Sequence, residues 1–160
     1  MSQPAATEFV VTFSLRGAAG ALYAVAVKQV ETVLPSLSIA PVPAASPGVL
    51  GLINLRGAVL PVLDFAPWLG LAPGEQHLDD QIMVLRADGR RFGVLVAEVR
   101  GVELLGCRVR VAGDLLLPGL DRRIDGVVVL DDGLILLCEV GKFLASGGDA
   151  LLASIPAAAP

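Results

Sequence analysis

Two similar hairpin patterns constrain the fold of this chain more than any other feature. The first runs from Gly51 to Asp64 and the second from Gly126 to Glu139. In each, an apolar run of strand length is followed by a polar turn ending in glycine, and a second apolar run closes on an acidic residue. This order is typical of a β-hairpin. Its repetition predicts a duplicated β unit.

The apolar spacing upstream of each hairpin repeats as well. A strand and a turn come first in both copies, so the order strand, turn, strand, apolar link, long loop, hairpin and short helix runs twice. Two units of about five short strands, with few helices, predict an all-β fold built from a pseudo-symmetric pair of small barrels. Five apolar positions recur with one constant shift: Tyr23, Val25, Val27, Val30 and Val33 are matched by Phe92, Val94, Val96, Val99 and Val102.

The repeat also suggests how the chain is divided. Residues 1–8 are expected to be a flexible tail, and residues 9–145 a single domain. Within that domain the first subdomain is expected at about 9–78 and the second at about 79–145, with strands allowed to cross between them. Residues 146–160 are expected to be a loose C-terminal tail.

Short helices are predicted at two kinds of position. The apolar spacing from Val27 to Leu34 fits one or two helical turns ended by Pro35. Residues 65–70 follow the first hairpin and read as a short helix capped by Asp64. Glu139 has the equivalent place after the second hairpin, and we interpret both acids as helix caps rather than as an acid–base pair.

The chain is apolar, with a mean hydropathy of +0.72, yet a membrane span is not expected. Its longest uncharged stretch, Thr32 to Leu55, contains four prolines, which a spanning helix does not carry at that density. The N-terminus lacks the basic and apolar regions of an export signal, so a cytoplasmic protein is predicted. Cys107 and Cys138 are then expected to be reduced, structural thiols.

Charge argues against a nucleic-acid partner. The net charge is −4, and no basic stripe with interleaved aromatic residues is found. The part of the chain up to Gly70 carries only three basic and three acidic side chains. Such a half either exposes apolar surface that meets a partner or covers itself with small residues such as alanine, glycine and serine.

Signals for catalysis are weak. The single histidine, His77, lies among acidic residues in a polar connector, where a solvated loop explains it better than a metal site does. No catalytic, cofactor-binding or metal-binding residue is predicted. Arg56 lies in a tight turn, where it binds an acid on a partner, is exposed to solvent without a partner, or pairs with Asp64. Trp68, the only tryptophan, is a core residue or an interface anchor.

The first hairpin resembles the hallmark of the CheW family of chemotaxis coupling proteins, G-V-x-N-L-R-G-x-I-x-P-V-x-D-L, over Gly51–Asp64. Tyr23–Glu31 is similar to the family's Y-x-(I/V)-x-(I/V)-x-x-V-Q-E-I stretch. Arg91–Val99 and Leu136–Val140 are similar to two further family segments. The resemblance covers about residues 9–145.

The resemblance implies two small five-stranded SH3-like barrels around a shared core. It also implies a non-enzymatic adaptor without cofactor. Such adaptors bind the regulatory domain of the histidine kinase CheA and the cytoplasmic tip of chemoreceptors. The protein would be a monomer when free and part of a larger array at the inner face of the membrane. No nucleic-acid partner and no direct membrane insertion are implied.

Four departures from the family pattern leave the pathway open. They are Thr32 at the usual glutamate, Leu50 at a frequent basic position, Ala97 at the usual aspartate and Glu139 at the closing aspartate. A non-flagellar chemosensory pathway such as twitching motility remains an alternative. So do a peptide-binding barrel without a kinase partner and a small-ligand sensor.

Partner-binding residues are predicted in two places. The link after each second strand is expected to line a groove that receives the receptor tip, although its valines fit a core equally well. The turn of the first hairpin is the second place. The candidates are Val30, Glu31, Thr32, Val33, Val99 and Val102 in the links, and Asn54, Arg56 and Gly57 in the turn.

Overall fold

The structure is a computed structural model of the chain. The residues it describes are 9–18, 21–36, 38–43, 45–72, 76–104, 109–111, 124–131 and 133–153. The predicted N-terminal tail, Cys107 and the end of the chain from Ser154 onwards lie outside these ranges.

The described residues form eleven strands in two sheets. One sheet has the strand order β8-β1-β2-β11-β10-β9 and the other β3-β6-β7-β5-β4. The predicted all-β class is therefore confirmed, although one sheet gains a sixth strand and neither closes into a complete barrel over the described ranges. The strands are β1 Phe9–Ser14, β2 Ala21–Ala26, β3 Val30–Pro35, β4 Val49–Leu55, β5 Ala58–Leu63, β6 Gln81–Ala87, β7 Arg90–Val96, β8 Glu98–Leu104, β9 Val109–Val111, β10 Ile124–Leu130 and β11 Gly133–Cys138.

Each sheet combines strands from both halves of the chain. In the six-stranded sheet, β1 and β2 join the second hairpin through parallel pairing of β2 with β11, and β8 pairs with β1. In the five-stranded sheet, β6 and β7 join the first hairpin through parallel pairing of β7 with β5, and β3 pairs with β6. The two sheets thus repeat one order of strands, and each takes strands from both halves of the chain.

Alternation along the strands separates the apolar side chains into three clusters. One face of each sheet contributes to a shared core between the sheets. The opposite face of each sheet has a small core of its own. Representative members are Phe13, Tyr23, Met83, Leu85 and Phe92 in the shared core, Val10, Ala24, Val128, Ile135 and Leu137 behind the six-stranded sheet, and Ile53, Leu60, Val62, Ile82 and Val84 behind the five-stranded sheet.

The link from Val27 to Leu34 was predicted as helical and is mostly a strand. Only a 3-10 turn, Val27–Gln29, is helical, and β3 follows it. The register of β3 against β6 shifts between Val30 and Thr32. This β-bulge adds one residue, so Val30 and Val33 both face the shared core although strict alternation would place them on opposite faces. The bulge thus gives the apolar residues of this strand the three-residue spacing that is typical of a helix.

The C-terminal segment predicted as a loose tail from residue 146 is ordered as far as residue 153. Helix α1, Val140–Phe143, is followed by a segment, Leu144–Gly148, that is kinked at Gly147, where the φ of +130° is not helical, and then by helix α2, Asp149–Ala153. Leu151 and Leu152 pack against the shared core. The burial of these apolar side chains explains the order, since a segment with apolar contacts gains free energy by docking.

The acidic residues that close the two hairpins have equivalent roles. Asp64 Oδ1 accepts a hydrogen bond from the Ala66 N–H at 2.9 Å, and Glu139 Oε1 accepts one from the Gly141 N–H at 2.9 Å. Glu139 is the N-cap of α1, as predicted. Residues 65–70 form hydrogen-bonded turns rather than the predicted helix, so Asp64 caps a turn.

Candidate partner-binding surface

The tip of the first hairpin is a two-residue turn with an unusual occupant. Leu55 pairs with Ala58, so Arg56 and Gly57 alone form the turn, with φ values of +53° and +87°. Positive φ at both positions is the type I′ geometry, which favours asparagine, aspartate or glycine. Asn54 Oδ1 accepts the Gly57 N–H at 2.8 Å and so stabilises the turn.

Arg56 is exposed at this tip, and within the described ranges its side chain has no hydrogen bond or ion pair. The alternative pairing with Asp64 is wrong, because Asp64 lies at the opposite end of β5 and caps the following turn. A left-handed conformation costs a non-glycine residue about 1 kcal/mol. Residues held in such conformations are concentrated at functional sites.

The second hairpin presents an exposed apolar pair near its tip. Val129 pairs with Leu134, and their exposed fractions are 49% and 40%. The equivalent pair on the first hairpin is Asn54 and Val59. Each hairpin therefore carries a surface near its turn, mixed polar and apolar on the first, where Val59 is 39% exposed, and apolar on the second.

The valines predicted to line a receptor groove differ in burial. Val30 and Val33 on β3 and Val99 on β8 are half-buried and pack against the shared core. Val102 is 62% exposed and faces the same side of its sheet as Val11, its partner on β1.

Val102 belongs to a small apolar patch. Leu104, further along β8 on the same face, pairs with Phe9 at the start of β1, and each is 53% exposed. We call Phe9, Val102 and Leu104 the edge patch. The edge patch lies on the face of the six-stranded sheet that contributes to the shared core, but beyond the end of that core. Its apolar side chains are therefore available to a partner.

The two polar candidates on β3 have different environments. Thr32 is half-buried opposite Val84. Glu31 lies at the bulge, where its carboxylate accepts hydrogen bonds from Arg86 and Arg91. These bonds, that from Arg91 above all, lower the pKa of Glu31 below its ordinary value. Sequence reasoning missed both arginines, since they lie far from Glu31 along the chain.

An ion pair in the connector joins the two sheets. Arg16, in the turn after β1, contacts Asp80, just before β6, at 2.8 Å between Nε and Oδ1. Asp80 is 2% exposed, and its Oδ2 also accepts the His77 N–H at 2.9 Å. Burying a carboxylate without such donors costs free energy. The contact between Arg16 and Asp80 therefore fixes the segment before β6 against the turn after β1.

The groups that suggested chemistry have structural environments. His77 is exposed. Among the described residues, no cluster of three or more histidine, cysteine, aspartate or glutamate side chains fits a metal ion. Burial raises the pKa of Cys138 to about 12, which disfavours a nucleophilic thiolate. Trp68 packs on Phe65 and Phe143 at the shared core, as its core interpretation predicted.

The helices within the described ranges are all too short to cross a membrane as an apolar span.

Comparison with known proteins adds a family and a fold. A family model described as the CheW-like domain matches residues 10–147. A chemotaxis protein CheW from Rhizobium meliloti (strain 1021) is 33% identical over 107 residues, 66% of this chain and 69% of the relative. A chemotaxis protein CheW from Thermotoga maritima is 31% identical over 123 residues, 74% of this chain and 77% of the relative. The crystal structure of the scaffolding protein TtCheW from Thermoanaerobacter tengcongensis is similar with a TM-score of 0.70 and 25% identity, and the match covers 82% of this chain and 88% of that one.

Proposed function

This chain belongs to the CheW family, and from that membership we propose that it is a non-enzymatic adaptor coupling chemoreceptors to the histidine kinase CheA. The observation that carries the proposal is Arg56, which is exposed in a left-handed turn at the position of the family hallmark. A residue that costs stability without an intramolecular contact is best explained by a contact with a partner. The adaptor would act at the inner face of the membrane, bound to receptor tips.

Two separate surfaces would serve the two partners. The hairpin tips would bind the regulatory domain of the kinase, through Arg56 on one and through Val129 and Leu134 on the other. The edge patch would receive an apolar ridge of the helical receptor tip, supported from the core by the half-buried valines of β3 and β8. The direct test is binding of the purified protein to the kinase regulatory domain and to a cytoplasmic receptor fragment. Failure to bind either would contradict the adaptor function.

Replacing Arg56 by asparagine is expected to raise the free energy of unfolding by about 0.5 kcal/mol, because asparagine tolerates positive φ better. The same change is expected to weaken kinase-domain binding about tenfold, since arginines at interface centres contribute strongly. Urea unfolding and calorimetric titration measure the two effects. Asp88→Asn is the matched control, because Asp88 has a φ of +52° in another hairpin turn. Unchanged binding by the Arg56 variant would remove this residue from the interface.

Replacing Leu134 by aspartate is expected to weaken kinase-domain binding by about tenfold or more while the thermal midpoint stays within about 3 °C. The physical reason is the loss of an apolar contact together with the burial of a charge on binding. Leu78→Asp is the matched control, since Leu78 is 97% exposed in the connector.

Salt provides a second check on the apolar contact expected at Leu134. The wild-type interaction with the kinase domain should depend weakly on salt, because apolar burial supplies most of its free energy. An affinity that falls more than about tenfold between low and high salt would contradict an apolar interface.

Replacing Val102 by glutamate is expected to weaken receptor-fragment binding about tenfold without lowering the thermal midpoint, because Val102 is mostly exposed. Val33→Glu should instead lower the midpoint by about 5 °C or more, since it places a charge against the shared core. Differential scanning fluorimetry and a receptor pull-down measure the two effects. Normal receptor binding by the Val102 variant would contradict the placement on the edge patch.

A further inference from the structure

Positive charge is concentrated beside the start of β3. An open cavity of about 440 Å³ is found there, and three cationic side chains and one carboxylate line it, although the chain carries a net charge of −4. We call it the charged cavity, and its lining residues are Lys28, Gln29, Val30, Glu31, Arg86 and Arg91.

The contacts of Glu31 reveal which ligand group the charged cavity recognises. Arg91 donates from Nε to Oε1 at 2.9 Å and from Nη2 to Oε2, so its guanidinium holds the carboxylate in a fork. Arg86 adds a bond from Nη2 to Oε1 at 2.8 Å. This forked arrangement is the geometry in which arginine selects carboxylates. The Arg91 fork is therefore taken by the chain's own carboxylate, and the more exposed Arg86 is the arginine that an external carboxylate can reach.

The charged cavity has further capacity for a ligand. The side chain of Arg86 is 66% exposed, and its contact with Glu31 uses one of its nitrogens. The Gln29 Oε1 atom is buried and accepts no hydrogen bond from any group in the described part of the chain. Because a buried acceptor gains by meeting a donor, the cavity suits a ligand that offers an N–H group beside its carboxylate.

We propose that the charged cavity is a docking site for an acidic segment of a partner protein. A carboxylate of that segment binds Arg86, and a backbone or amide N–H of the same segment donates to Gln29. This site is separate from the hairpin tips and the edge patch, and its assignment does not depend on the adaptor function.

A protein carboxylate fits the charged cavity better than a phosphate group does. A phosphate monoester carries close to two negative charges at neutral pH and would lie beside the Glu31 carboxylate, whereas a carboxylate carries one. Phosphate sites are also commonly built from successive backbone N–H groups at a helix N-terminus or a nest. The charged groups of this cavity are side chains from a 3-10 turn and three strands.

Two variants test the proposal with opposite expected signs. The probe is a fluorescently labelled hexaglutamate peptide, titrated at low salt and followed by anisotropy. Arg86→Gln should weaken its binding about fivefold, as expected for an exposed ion pair. Glu31→Gln should strengthen its binding, because it releases both arginines from the internal carboxylate. If the cluster served only to join β3 to its neighbours, Glu31→Gln would lower the thermal midpoint without improving binding.

Matched controls separate the site from the general field of the protein. Arg100→Gln removes the same charge outside the cavity, where Arg100 contacts Glu98, and should leave hexaglutamate binding unchanged. In nitrogen–proton spectra, hexaglutamate should shift the side-chain amide of Gln29, and a neutral glycine–serine hexapeptide should not. No binding of hexaglutamate, or equal weakening by Arg86→Gln and Arg100→Gln, would overturn the proposal. Binding of sodium phosphate at Gln29 in place of hexaglutamate would overturn it in favour of a phosphate site.

Discussion

Replacing Phe143 by alanine is expected to lower the free energy of unfolding by about 3–5 kcal/mol, the usual cost of removing a fully buried aromatic side chain. Phe143 is 1% exposed, and its ring centroid lies 4.8 Å from that of Phe65, 5.4 Å from that of Trp68 and 5.8 Å from that of Phe92. Phe65 and Trp68 follow the first hairpin, whereas Phe92 belongs to β7. Loss of the ring therefore weakens contacts with both halves of the chain at once.

Urea unfolding measures this loss, and Phe9→Ala is its matched control. The ring of Phe9 is 53% exposed, so its removal should cost about 1 kcal/mol or less. A similar cost for the two variants would mean that the C-terminal helices contribute little to the shared core. That result would contradict the placement of α1 in the shared core.

Replacing Gly51 by alanine is expected to cost about 3 kcal/mol or more, enough to unfold much of the protein. A Cβ atom at this position would lie 2.3 Å from the Ala40 carbonyl oxygen and 2.7 Å from an Ile39 side-chain carbon. Ala40 is paired with Leu52 through two backbone hydrogen bonds of 2.9 Å, so it cannot move away without breaking them. Gly51 also has a φ of +148°, which disfavours a side chain.

Gly101→Ala separates the steric cost at Gly51 from the conformational cost. Gly101 has a similar φ of +156°, but no atom lies within 4 Å of the position that its Cβ would take. Its replacement should cost about 1 kcal/mol, from backbone strain alone. Circular dichroism with thermal unfolding compares the two variants. Equal losses would show that the chain before β4 yields to the added methyl group.

The sequence predicts the strands well because their signals are local. The two hairpins and the alternation of Tyr23 and Val25 with small residues need only neighbouring positions to be recognised. Which strands pair with each other could not be predicted in the same way. The pairing of β3 with β6 or of β1 with β8 depends on no sequence pattern within either strand. The bulge at Val30 to Thr32 also disrupted the two-residue apolar period of the strand and so favoured a helical interpretation.

The same distinction applies to the candidate surfaces. Arg56 could be proposed from the sequence as a partner-binding residue because its turn is local and its motif specific, and that role stays a prediction. The sequence left open whether Val33 and Val102 were core or surface residues. In the structure Val33 packs against the shared core, whereas Val102 lies beyond the end of that core at the sheet edge. The charged cavity was not predicted, since its ion pairs join residues brought together by pairing of β3, β6 and β7.

The exchange of strands between the halves sets an order of assembly during synthesis. All strands of the five-stranded sheet have been made once Val96 leaves the ribosome, whereas the six-stranded sheet needs every residue up to Cys138. Strands β1 and β2 are made first, yet β2 waits for β11, the last strand of the chain's described part, to cover its edge. Such distant pairings slow folding and leave an apolar strand edge open to other chains. Newly made protein should therefore depend on chaperones until the last strand arrives.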